Sequence, residues 1–134
     1  IASGGELARI MLAMKNVLSE QDHVATMVFD EVDTGVSGRA AQKVAEKMAR
    51  ISRHKQVLCV THLPQLAAMA DTHFSVEKGE ANGRTFTQVR QLDRKQRQME
   101  LARLTGGAHV TETMLQGAEE LLTQAEKFRA EMAE

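Results

Sequence analysis

Two short apolar runs, Ala25-Thr26-Met27-Val28-Phe29 and Val57-Leu58-Cys59-Val60, constrain the fold of this chain more than any other feature. Neither alternates apolar with polar residues, which is the pattern of a central parallel strand covered on both faces. Between them Ala40, Ala41, Val44, Ala45, Met48 and Ile51 recur at three- and four-residue spacing, the buried stripe of an amphipathic helix. Strand, helix, strand is a βαβ unit, with a right-handed crossover and functional groups expected at the carboxyl ends of its strands. Asp30 and Glu31 follow the first run and His62 closely follows the second, so all three fall on that edge.

The remaining elements fit around this unit. Leu7, Ile10, Met11, Met14, Val17 and Leu18 mark a helix to about Ser19 behind the Ser3-Gly4-Gly5 turn. Pro64 suits the first turn of a short helix through Ala70, because its missing N–H has no intrahelical partner there. Residues 73–78 and 84–92 read as strands joined through Gly79 to Gly83, a hairpin whose Asn82-Gly83 permits positive φ. A helix from about Lys95 to Thr105 stops at Gly106-Gly107. Thr111 caps the last helix, with Val110 and Leu115 placed as a hydrophobic staple. Its stripe of Met114, Leu115, Ala118, Leu121, Leu122, Ala125 and Phe128 covers too few heptads for a coiled coil, so it is expected to pack back on the domain.

With 134 residues, 43% hydrophobic and 26% charged, the chain suits one globular domain. Its apolar runs are too short to cross a bilayer. The opening Ile1-Ala2-Ser3 has no initiator Met, basic leader or apolar h-region, and is read as a start within a longer protein. Seventeen basic against eighteen acidic residues leave no overall excess for nucleic acid, so any DNA contact must be local. Cys59 stands alone in an apolar run, read as inert core, and the five histidines show no metal-ligand spacing.

Three motifs carry chemistry. Ser3-Gly4-Gly5-Glu6 at a helix start offers backbone N–H groups, a hydroxyl and the positive helix end, which suit a phosphate, although such a turn also serves as a plain N-cap. Asp30-Glu31 at a strand end supplies one carboxylate for Mg²⁺ and another to polarise a water; acidic pairs there also cap turns. An imidazole at His62 can hydrogen-bond a transferring phosphoryl group or be structural.

In this order the motifs resemble those of ABC-type ATPase heads: Ser3-Gly4-Gly5-Glu6 the signature, Met27 to Glu31 the Walker B strand, Val32-Asp33-Thr34-Gly35 the D-loop, His62 the switch histidine. Transporter subunits usually carry Leu-Ser-Gly-Gly-Gln and a proline after the Walker B glutamate; this chain has Ala2-Ser3-Gly4-Gly5-Glu6 and Val32. Chromosome-structure SMC heads generally lack the switch histidine. Together with Phe29 to Gly38, Val60 to Gln65 and Glu100-Leu101-Ala102-Arg103-Leu104, these features are similar to the RecN family of SMC-like bacterial DNA-repair proteins, over nearly the whole chain.

The resemblance implies an α/β fold, the C-terminal lobe of an ABC-type P-loop NTPase head, with a mostly parallel sheet flanked by helices and a C-terminal hairpin and helices. Residues 1–134 would form that half. It implies ATP and Mg²⁺ as cofactors, with Asp30 on the metal, Glu31 orienting the water and His62 at the γ-phosphate. Ser3, Gly4, Gly5 and Glu6, with Asp33, would face ATP held by a second head, so hydrolysis needs a homodimer. No Gly-x-x-x-x-Gly-Lys-Ser/Thr loop occurs, so the phosphates need the N-terminal Walker A half as a further partner. The implied activity is ATP hydrolysis in double-strand-break repair, on DNA, in the cytoplasm at the nucleoid and away from membranes. A different reading is a non-catalytic dimerisation or DNA-binding module that keeps the fold. Arg84, Arg90, Arg94, Lys95, Arg97 and Arg103 offer a DNA-facing stretch but have only Phe86 for base stacking, so a solvated face is expected.

Overall fold

A computed structural model describes residues 25–30 and 38–133. Strand β1 (Thr26–Asp30) pairs in parallel with β2 (Gln56–Val60), and helix α1 (Gly38–Ile51) lies between them in sequence. Helix α2 (Pro64–Met69) follows, then strands β3 (Phe74–Ala81) and β4 (Arg84–Gln91), and helices α3 (Arg94–Gly106) and α4 (Glu112–Met132). The expected helix over Leu7 to Ser19 lies outside the described residues.

The βαβ order expected from the two apolar runs is present. The mostly parallel sheet is not: among the described residues the parallel part is the β1–β2 pair, and β3–β4 forms a separate antiparallel sheet. The strands also differ from the expectation of cover on both faces. Met27 and Phe29 enter the core, with Val57 and Cys59 packed against it, while Val28, Leu58 and Val60 on the opposite face are 60%, 50% and 64% exposed. The period of a strand is two, so one face can be filled by helices while the other is not.

The core lies among the helices. Ala41, Val44, Ala45, Met48 and Ile51 of α1 meet Leu66 to Met69 of α2, Leu101 and Ala102 of α3, and Ala118, Leu122 and Ala125 of α4. The last helix therefore packs back on the domain as its stripe predicts, and Arg50 lies over the Phe128 ring, 5.4 Å from its centroid. Val110 and Leu115, the expected staple, both pack against this core.

Local chemistry explains the element ends. Asp93 Oδ1 accepts from the Gln96 N–H at 2.8 Å while Gln96 Oε1 accepts from the Asp93 N–H at 2.9 Å, a reciprocal box that starts α3 one residue before Lys95. Gly107, at φ 84°, ends that helix, and the Thr111 hydroxyl accepts from Met114 N–H to start α4. The hairpin turn is tighter than the expected five-residue connection. Asn82 and Gly83 alone turn the chain, at φ 53° and 75°, and β3 runs on to Ala81. Gly79 makes that continuation feasible: it pairs with Phe86, whose ring lies where a Cβ at position 79 would go.

Candidate functional site

The parallel register sets Asp30 beside Val60, and His62 leaves β2 two residues later. Asp30 and the His62 segment therefore emerge at the same carboxyl edge of the β1–β2 pair, and both side chains are exposed. A carboxylate and an imidazole at one edge give an oxygen ligand suited to Mg²⁺ and a hydrogen-bonding group suited to a phosphoryl oxygen. Glu31, Asp33 and Ser3, Gly4, Gly5 and Glu6 lie outside the described residues.

The backbone around His62 is tied on both sides. Leu63 N–H donates to Thr61 Oγ1 at 3.0 Å, a turn that spans His62, and Pro64 then begins α2. Thr61 was legible only as the residue before the histidine; the turn it closes becomes visible in three dimensions.

The far end of α2 is held by two arginines. Arg97 Nη2, from α3, donates to Ala67 O at 3.1 Å, Ala68 O at 3.3 Å and Ala70 O at 2.9 Å. Arg129 Nη1, from α4, donates to Ala68 O at 3.3 Å and Met69 O at 3.0 Å, and its Nε lies 3.5 Å from Asp71 Oδ1. Helix ends leave carbonyls without intrahelical donors and carry the negative pole of the helix, so guanidinium groups match both needs.

The expectation of a solvated face from Arg84 to Arg103 holds at Arg84, Arg90, Arg94, Lys95 and Arg103, which are exposed, and fails at Arg97. Arg97 is 8% exposed, buried beneath that surface. Arg94 bridges Glu119 and Glu126 at 2.9 and 2.8 Å, Arg103 pairs with Glu100 at 2.8 Å and Arg90 with Glu77 at 3.6 Å. Among the described residues this leaves Arg84 and Lys95 as the exposed members of the six without an ion pair, too few cations for a phosphate-tracking stripe. A basic residue in a charged helical stretch gives no sign in sequence that it reaches a helix end thirty positions away.

Burial pushes the His73 imidazole below its usual pKa, the Arg97 charge adds to that shift, and Glu100 opposes it. His73 Nδ1, Ser75 Oγ and Arg97 Nε are buried without a hydrogen-bond partner among the described residues, at the seam between the hairpin base and the helices. Leu92 N–H closes that base by donating to His73 O at 2.9 Å.

No protein-family model matches the sequence. Curated proteins match it nearly end to end. It is 50% identical over 129 residues to the DNA repair protein RecN of Bacillus subtilis, covering 96% of this chain and 22% of that protein. Identity to RecN of Treponema pallidum is 45% over 129 residues, and to RecN of Haemophilus influenzae 46% over 122, each again 22% of the relative. A solved structure from work on ATP-driven dimerization and DNA-stimulated activation of SMC ATPases superimposes with a TM-score of 0.63 at 21% identity, covering 81% of this chain and 65% of that one. The fold is thus that of an SMC ATPase, and the sequence is the counterpart of a segment making up about a fifth of the length of RecN proteins.

Proposed function

We propose that this chain is the C-terminal half of an ATP-hydrolysing head that acts in recombinational repair of DNA double-strand breaks. The common carboxyl edge of Asp30 and the His62 segment, on an SMC-like fold, carries the reading. Asp30 would hold Mg²⁺, which supplies charge neutralisation when bound. Glu31 would orient the hydrolytic water and accept its proton, and His62 would donate a hydrogen bond to the γ-phosphate. Ser3, Gly4, Gly5 and Glu6, with Asp33, would close over ATP held by a second head, making the active species a homodimer. The Walker A half would hold the phosphates, and the exposed Val28, Leu58 and Val60 offer it an apolar face. The whole protein would act on DNA in the cytoplasm, at the nucleoid. The ion-paired state of Arg90, Arg94 and Arg103 speaks against DNA contact as this chain's own role.

Co-expression with the Walker A half gives the test. Glu31→Gln should lower ATP turnover about a hundredfold or more, the scale of a lost general base. Equal turnover in both proteins sinks the role of Glu31.

A further inference from the structure

The geometry points to Arg97, seconded by Arg129, as a residue that positions His62 from a distance by holding the carbonyl end of α2. The inference rests on the reading of His62 as the γ-phosphate contact. Six residues are too few for a helix to persist on its own backbone hydrogen bonds, so the direction of α2 is set by its surroundings. Among the described residues no side-chain hydrogen bond caps its N-terminus. What fixes it is the burial of Leu66 to Met69 and the donors on its last carbonyls, which among the described residues come from Arg97 and Arg129 apart from the Ala70 N–H bonded to Ala67 O.

At the other end there is little slack. Val60 is paired with Asp30, the Thr61 hydroxyl accepts from Leu63 N–H, and Pro64 is already helical. Only His62 and Leu63 thus lie between Thr61 and the first helical residue, and a tilt of α2 passes directly to them. Desolvation works against the charge of Arg97, as do Arg129 and Arg94, while Glu126 and Asp71 support it. The three carbonyls are what it gains at that place. Lysine keeps the charge but not the planar fork that spans several acceptors. Arg97 is accordingly a positioning residue, one that acts through α2.

The test measures kcat and KM for ATP in the head assembled from this chain and the Walker A half, for wild type, Arg97→Lys, His62→Ala and the double variant. Arg97→Lys should lower kcat about tenfold, as small misplacements of a reacting group do, with KM changed less than about twofold. In the His62→Ala background it should cost nothing further, whereas a merely structural defect lowers turnover equally in both backgrounds. Equal loss in both, or wild-type kcat in Arg97→Lys, overturns the positioning role and leaves His62 standing. Wild-type turnover in His62→Ala overturns the reading of His62 and the inference with it. If Arg97→Lys does not fold, Arg129→Lys, at a site 21% exposed, carries the same test with the same outcomes.

Discussion

In the helices Ile51, Leu101 and Leu122 are fully enclosed, whereas on the hairpin Phe74, Val76, Phe86 and Val89 stay exposed. Both regions are ordered by local signals: caps on Asp93 and Thr111 for the helices, Asn82-Gly83 for the hairpin. They differ in what holds the result. The helices bury a shared core, while the hairpin relies on its own ladder and on a base anchored at Ser75 and Leu92. An isolated two-stranded hairpin is marginal in water, so its tip contributes little to the stability of the whole. Turn chemistry can specify a shape without stabilising it, and packing does the rest.

The sharpest way to break this contrast is a cavity in the helices. Leu122→Ala should destabilise the chain by about 3 kcal/mol in chemical denaturation, the usual cost of removing an enclosed leucine. A loss under about 1 kcal/mol would show that the helices relax as freely as the hairpin.

An intermediate effect is expected at the seam. His73 titrates below its ordinary 6.5, through burial first and Arg97 second, so the folded state binds its proton less readily than the unfolded state. Its contribution is fully present above about pH 6.5 and is lost as pH falls toward the folded pKa. Melting temperature should therefore drop from about pH 7.5 to about pH 5.5, and His73→Gln should make that drop smaller. An unchanged slope would place the acid sensitivity elsewhere.

The smallest effect belongs to the hairpin. Val89→Thr, at a position 62% exposed and opposite Val76, should shift stability by no more than about 0.5 kcal/mol. A loss of 2 kcal/mol or more at this position would mean that its apolar face is covered in solution, by a second chain for example. Repeating the measurement over a range of protein concentrations separates that case from an internal contact.

Much of this was legible because its causes are local. The order of β1, α1 and β2 follows from two unalternating runs and one helical stripe, and that order alone sends Asp30 and His62 to one edge. Thr111, Gly107 and Asn82-Gly83 act within a few residues of themselves. Illegible features depend on distant parts of the chain. An apolar run does not say which of its faces will be filled, so the exposure of Val28, Leu58 and Val60 was not foreseen. Nor does a charged stretch reveal that Arg97 turns inward, since its acceptors lie on α2, 27 to 30 positions earlier. The box at Asp93 was readable in principle, as aspartate three residues before glutamine, and the continuation of β3 through Gly79 was hidden because it depends on where Phe86 lies.

The two arginines that hold the end of α2 also order events in time. Among the described residues the Met69 carbonyl takes its side-chain donor from Arg129, sixty residues further along, and a chain made from its N-terminus has passed His62 long before that donor exists. The strands and α1 can assemble early, but the carbonyl end of α2 gains this donor only once α4 is made. During synthesis the far end of α2 is thus among the last of the described parts to be completed.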